Sequence, residues 1–488
     1  MRPADAVCGE STRPPPSTGP QSRPLLVLIT GKSPLRKRGG LETYVKAHGL
    51  AGTQAGYDVH VFCVAARSRR IATEWGVFHE VASPVRPFSS FMVLLHGSFM
   101  RRAIVEHVRR SSTSGPTILH GFGSWSGIAA DAADELEQAG IEAVPVASAF
   151  TTLLHEHRAM IGGLRREHGL FNVVRYTSRY VWVRCVADRV ERHAYARARL
   201  VLVNYDSVRK LLVDSYGSGM RIRHIPYASD LAFAEADAIA PVPPAIARLQ
   251  PADAPLVVSV SRHDPRKGGD VLIRALARLA HDGVPFRACL VGPGALLAAN
   301  RALLAKFGLE TQVTITGQVP EVRPYLQHAD VFVLPSLEEG SGSLSLLEAL
   351  QHGLPIIASG CDGIPEDIRA SAPGEGTETG SAAEAAALLV DPASEQALVD
   401  ALTRLVSDAP LRSRLAALAR SIHEQRFSAA GFVKALSDVY AELGVSPPVR
   451  TERSAYVGRG SLKSPRPSAD IGTSQSSSPP AELERGSR

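Results

Sequence analysis

A chain of 488 residues with 44% hydrophobic residues and mean hydropathy of −0.01 is long enough for two or more buried cores, which excludes a disordered protein. No apolar run approaches the ~20 residues of a membrane-spanning helix, and residues 1–23 lack the apolar segment of a secretory signal, so they read as a disordered leader on a cytoplasmic protein. The net charge is +6 and the pI near 9.1, but no nucleic-acid-binding motif accompanies the basic residues.

The first half reads as alternating strands and helices. An apolar run at 24–30 is a buried strand, followed by Gly31-Lys32-Ser33. That tripeptide imitates the end of a phosphate loop, but Leu26 stands where the loop needs glycine, so a nucleoside triphosphatase is excluded. Gly39 and Gly40 open a helix over 43–54. Their backbone N–H groups suit a phosphate, although an ordinary strand-to-helix turn has the same pattern. A strand at 58–64, a buried helix within 88–109, a strand at 117–123 running into a glycine-rich loop, a helix at 127–138 and a strand at 143–149 follow. This alternation predicts a parallel sheet. Ten arginines lie between Arg158 and Arg199, interleaved with Tyr176, Tyr180 and Trp182. Amphipathic helices with solvated outer faces give that pattern, as does a surface attracted to anionic lipid. A strand at 199–204 and a helix at 206–216 end this half.

Residues 238–255 contain five prolines and read as a linker. A second buried strand, 256–261, leads into Arg262-His263-Asp264-Pro265-Arg266-Lys267-Gly268-Gly269 and a helix at 271–280. Arg262 and Lys267, five positions apart on a strand-to-helix loop, suit one diphosphate, the first by its planar fork and the second as a mobile point charge. Strands at 289–294, 313–317 and 331–334 follow. The last ends in Pro335-Ser336, and the loop 337–343 carries two carboxylates and two glycines. A helix at 344–350 is stopped by Gly353-Leu354-Pro355 before another strand at 356–358. Glu339 thus lies at the carboxyl end of a strand, where open α/β sheets bind ligands, and Glu348 lies on the next helix. Ionised carboxylates accept paired sugar hydroxyls well; a solvated acidic loop is the competing reading. Helices from 394 to 426 and one at 428–443 precede a Ser- and Pro-rich segment, 444–488, that reads as disordered. The cysteines Cys8, Cys63, Cys185, Cys289 and Cys361 are scattered and odd in number, which argues against a disulfide framework or a zinc site.

Glu339-Gly340, Glu348-Ala349-Leu350 and Gly353-Leu354-Pro355, preceded by Arg262 and Lys267-Gly268, resemble the nucleotide-sugar site of the retaining glycosyltransferases of family 4. The resemblance covers residues 24–443. It departs at one residue more between the two glutamates, at Ser261 in place of a glycine, and at Phe150-Thr151-Thr152, where the family carries a histidine. It implies the GT-B fold: two Rossmann-like α/β domains (24–237 and 256–427) facing across a cleft, with a terminal helix (428–443) crossing back to the N-domain. It also implies transfer of a sugar from a nucleotide diphosphate sugar, UDP- or GDP-linked, to a saccharide, lipid-linked or small-molecule acceptor, with no metal and no other cofactor. Arg262 and Lys267 would grip the diphosphate, helped by Gly39 and Gly40. Glu339 with Gly340 would hold the donor sugar, Glu348 the ribose, and backbone near Gly317 the base. His120 or His155 would stand in for the missing histidine. Bacterial envelope or exopolysaccharide synthesis, with peripheral contact at the inner membrane face, is the setting implied. A sugar-nucleotide epimerase, a phosphorylase and a non-catalytic sugar-nucleotide binder are the alternatives.

Overall fold

The computed structural model describes residues 23–35, 39–85, 93–111, 115–165, 169–233, 239–369 and 385–447. The leader and nearly all of the C-terminal segment expected from sequence lie outside these residues.

Two sheets form from the apolar runs. The first contains β1 (Leu25–Ile29), β2 (Asp58–Ala65), β3 (Arg69–Thr73), β4 (Gly76–Ala82), β5 (Thr117–Phe122), β6 (Ala143–Ser148), β7 (Leu200–Val203) and β8 (Ile222–His224). Its order is β3-β4-β2-β1-β5-β6-β7-β8, parallel throughout except for the β3–β4 hairpin. Every residue of β1 is buried, because helices cover both faces of the sheet. The second sheet holds β9 (Leu256–Val260), β10 (Arg287–Val291), β11 (Val313–Gly317), β12 (Val331–Leu334), β13 (Ile356–Ser359) and β14 (Ala387–Val390). It is wholly parallel, in the order β11-β10-β9-β12-β13-β14.

These orders position the site. In the second sheet the chain builds outward from β9 and returns to place β12 on its other side. The loops after β9 and β12 therefore diverge at the switch point, where a crevice forms. In the first sheet the same reversal separates β1 from β5. Loops from the carboxyl ends of both sheets meet in a seam between the domains, where Thr151, His155, Glu156, Tyr205 and Ser229 of the first domain meet Arg266, Glu338, Gly340, Glu348, Asp362 and Asp367 of the second.

The helix Ala429–Glu442 packs against the first-domain helix Gly40–Ala55, burying Phe432, Leu436, Val439 and Tyr440. The Tyr57 hydroxyl donates to the Val445 carbonyl at 2.9 Å, and Arg223 pairs with Glu442 at 2.9 Å.

The structure departs from the sequence reading in two places. The hairpin β3–β4 was not anticipated, since β3 is a half-exposed edge strand with no apolar run. The helix within 88–109 is Val93–Arg110 and is amphipathic rather than buried, exposing Leu94, Leu95 and Phe99.

Candidate active site

The loop after β9 turns through a short helical turn, Pro265–Lys267, and Gly268 reverses it at φ 60°. A Cβ on Gly268 would lie 2.0 Å from the Pro335 carbonyl oxygen, so only glycine lets the loops after β9 and β12 approach this closely. The backbone N–H of Leu337 then donates to the Arg266 carbonyl at 2.7 Å. Side chains separated by some 70 positions are thereby brought into contact.

The Lys267 ammonium is buried and pairs with the Glu339 carboxylate, which also accepts from Ser336 Oγ. Burial and the neighbouring Arg266 lower the Lys267 pKa, while Glu339 raises it. Arg262 is half exposed, 2.9 Å from Asp264 and 3.9 Å from Glu156. Glu348 is buried on the helix Leu344–Gln351 and accepts from Ser229 Oγ of the first domain at 3.0 Å. Gly39 caps the helix Gly40–Ala55, and a Cβ on Gly40 would sit 3.9 Å from Leu344 at the start of the Glu348 helix. The helix N-terminus predicted to receive a phosphate therefore faces the carboxylate-bearing elements. Gly340, at φ 80°, lies so close to Thr151 that an added Cβ would approach the Thr151 Cβ to 2.6 Å.

Two other predicted residues lie outside the charged cluster. Gly317 ends β11, two strands out from β9; its carbonyl accepts from Gly292 and its nearest side chains are Leu297 and Arg301. His120 is fully buried in β5, with Nδ1 bonded to the Tyr440 hydroxyl at 2.7 Å and Nε2 to Ser148 Oγ at 2.8 Å. Both ring nitrogens are engaged inside the fold, so His120 ties β5 and β6 to the terminal helix and does not reach the seam.

His155 does reach it. The Thr152 hydroxyl caps the helix Leu153–Gly162 by accepting from the His155 N–H, which projects the ring across to the second domain. His155 Nε2 is 3.4 Å from Asp362 Oδ1 and 3.6 Å from Glu338 Oε1. The Asp362 bond raises the His155 pKa in spite of burial. Asp362 in turn is pushed up by burial but held below its usual range by His155 and by the N–H groups of Gly340 and Glu339.

Four charged residues of the cluster escaped the sequence reading: Glu156, Arg266, Glu338 and Asp362. Arg266 is buried and bonds Glu156 at 3.2 Å and Glu338 at 3.3 Å. Burial favours the neutral form of Glu156, but Arg266 and Arg262 outweigh it and hold the pKa at about 2. Burial pushes Glu338 up to about 7, against the pull of Arg266. Asp362 carries one signal, a φ of 48° in a non-glycine residue, and that appears only in the backbone. His155, Glu338 and Asp362 also place three potential metal ligands within 4.8 Å of one another, in long ion pairs that leave His155 Nε2 and Glu338 Oε1 without a hydrogen bond.

Comparisons with known proteins bear on the fold and on the second domain. Residues 254–408 match the family model described as glycosyl transferases group 1. A GDP-mannose-dependent alpha-(1-6)-phosphatidylinositol monomannoside mannosyltransferase of Mycolicibacterium smegmatis is 30% identical over 43% of this chain and 58% of its own. The chain spans about half the length of the curated relatives it matches. Among solved structures, sucrose-phosphate synthase from Thermosynechococcus elongatus superposes with a TM-score of 0.65 at 21% identity, over 86% of this chain and 99% of that one. HepE of Anabaena, solved in complex with UDP and glucose, gives 0.58 at 17% identity, over 86% and 100%. The shared architecture is the GT-B fold. The stretch that matches the glycosyl transferases group 1 family, residues 254–408, carries both the basic loop and the two glutamates.

Proposed function

We propose that this chain is a retaining glycosyltransferase that moves a sugar from a nucleotide diphosphate sugar to a saccharide or lipid-linked acceptor in cell-envelope or exopolysaccharide synthesis. The observation that carries this reading is the Lys267–Glu339 pair at the β9/β12 switch point, with Arg262 beside it and Gly39–Gly40 opposite. Arg262 and Lys267 supply positive charge where the departing diphosphate gains negative charge, and the helix N-terminus at Gly40 adds backbone donors. Glu339 accepts hydroxyls of the donor sugar, and Glu348 those of the ribose once Ser229 gives way. In the transfer, the acceptor hydroxyl oxygen bonds to the anomeric carbon as the bond to the diphosphate breaks. The acceptor proton passes to the leaving phosphate oxygen, and the nucleoside diphosphate departs. His155, whose pKa is raised, lies on the same seam and takes the place of the missing family histidine as a donor toward the sugar. Guanine and uracil are both candidate bases, since the mannosyltransferase is named for GDP-mannose and HepE was solved with UDP.

The helix Leu170–Trp182 supports an acceptor at a bilayer surface. Leu170 and Phe171 are each 78% exposed, with Val174 and Trp182 also outward and Arg175 and Arg184 beside them. An apolar stripe flanked by cations suits an anionic membrane. Among the described residues no helix is long and apolar enough to cross one.

The test is to incubate the protein with GDP-mannose, UDP-glucose and related donors and a lipid-linked acceptor pool, following nucleoside diphosphate release and the anomeric configuration of the product. Release with retention, lost in Lys267→Met, is expected. An inverted product would overturn the retaining assignment, and release no faster than in Lys267→Met would overturn the transferase. In vesicle sedimentation at low salt, equal binding to neutral and anionic lipid would sink the membrane contact.

A further inference from the structure

Three histidines of the first domain converge away from the seam. His60 lies on β2, His79 on β4, and His107 in the last turn of the helix Val93–Arg110 that covers this face of the sheet. Their ring centroids are 4.3 to 5.1 Å apart, and one ring nitrogen from each lies within 4.8 Å of the others. His60 Nδ1 is 2.8 Å from His79 Nε2. His107 Nε2 is buried with no hydrogen-bond partner. Such an orphan is costly in a finished core, and a metal ion would satisfy it.

We propose that His60, His79 and His107 form a site for one borderline divalent cation, best matched by zinc. Three neutral imidazoles are a zinc donor set, with the fourth tetrahedral position left to water. Tetrahedral zinc with bonds of about 2.0–2.1 Å requires nitrogens about 3.4 Å apart. The His60–His79 pair would open by only about half an ångström. Behind His60, its other nitrogen Nε2 faces Asp58 Oδ2 at 3.4 Å, the carboxylate-on-imidazole arrangement that fixes the tautomer and strengthens a ligating histidine. Phe62 stacks flat on His79 at 4.4 Å and fixes its ring plane. Arg70 on β3 pairs in register with His79 and opposes the cation, and Asp58 offsets it. His60 is near the amino end of β2, whereas the donor site lies beyond the carboxyl ends, so the ion acts as a staple between helix and sheet edge and takes no part in transfer. The sequence conceals the site, because its ligands are dispersed over 48 positions without metal-motif spacing.

The experiment uses the chelator-treated full chain, titrated with zinc against a chromophoric competitor and separately with cobalt(II). One zinc per chain, an intense visible cobalt spectrum of four-coordinate type, and a raised thermal midpoint are expected. His79→Gln and His107→Gln should weaken zinc binding at least about 100-fold, and Asp58→Asn about 10-fold. His155→Gln, in the other histidine–carboxylate cluster, should leave zinc binding unchanged. Circular dichroism checks that each variant is folded. If neither histidine variant folds, Asp58→Asn decides, since Asp58 is largely exposed. Zinc affinity within twofold of wild type in Asp58→Asn, a pale six-coordinate cobalt spectrum, or loss of binding in His155→Gln would each overturn the proposal.

Discussion

Replacing Glu339 by glutamine keeps the side-chain shape and removes its charge. In the structure the Glu339 carboxylate occupies the Lys267 ammonium that a diphosphate would use, and both side chains are less than a tenth exposed. Two unit charges about 4 Å apart attract by ~4 kcal/mol at an effective dielectric constant of about 20. Most of that is recovered when a phosphate takes the place of the carboxylate, so freeing Lys267 should leave a net gain of about 1–2 kcal/mol, a factor of about 5–30. Glu339→Gln should therefore bind the bare nucleoside diphosphate about 5–30-fold more tightly than wild type. The nucleotide sugar should gain less or lose affinity, because its hydroxyls lose a charged acceptor, and the transfer rate should fall. Lys267→Met should weaken both ligands by about 1.5–3 kcal/mol, the value of a charge-assisted bond. Calorimetry with the diphosphate and the sugar nucleotide on the three proteins separates these terms. Equal weakening of both ligands in Glu339→Gln would show that Glu339 does not compete with the phosphate, and the reasoning would fail.

Three further outcomes follow from the seam and the core. Gly340→Ala forces an alanine to φ 80° beside Thr151, costing about 1–2 kcal/mol in backbone strain plus a steric part; the thermal midpoint should fall, and Thr151→Gly should restore only the steric part, so full restoration would refute the backbone argument. Tyr440→Phe leaves His120 Nδ1 without its partner and should cost about 1–3 kcal/mol of stability with KM unchanged; a large KM effect would return His120 to the site. His155, with its raised pKa, contributes stability that is complete below its unfolded value and is lost as pH rises through the folded value. Glu338, raised to about 7, binds its proton more tightly when folded, so stability falls from its unfolded value near 4.5 up to about 7. Both signs agree: thermal midpoints should decline across pH 6–8 and decline less in His155→Gln, and parallel profiles for the two proteins would refute the pairing.

The amino-acid sequence by itself determined the two parallel sheets. Strands buried on both faces need unbroken runs such as Leu25–Ile29 and Val331–Leu334, and glycine or proline must end the helices between them. It also singled out Arg262, Lys267, Glu339 and Glu348, through charges on two strand-to-helix loops and the helix after the second, and through the family resemblance that their order carries. Tertiary structure alone decided how those charges pair. Glu338 and Glu339 are adjacent, yet one meets Arg266 and His155 and the other Lys267, a choice made by the close approach at Gly268 and by Asp362 binding two backbone N–H groups. The two histidine candidates were equivalent on paper. Burial beneath the terminal helix made His120 a structural tie, and the Thr152 cap turned His155 into the seam. Local pattern records which face of an element is apolar; which charge lies opposite across a domain boundary depends on packing between residues a hundred or more positions apart, and that leaves no periodic trace in the chain.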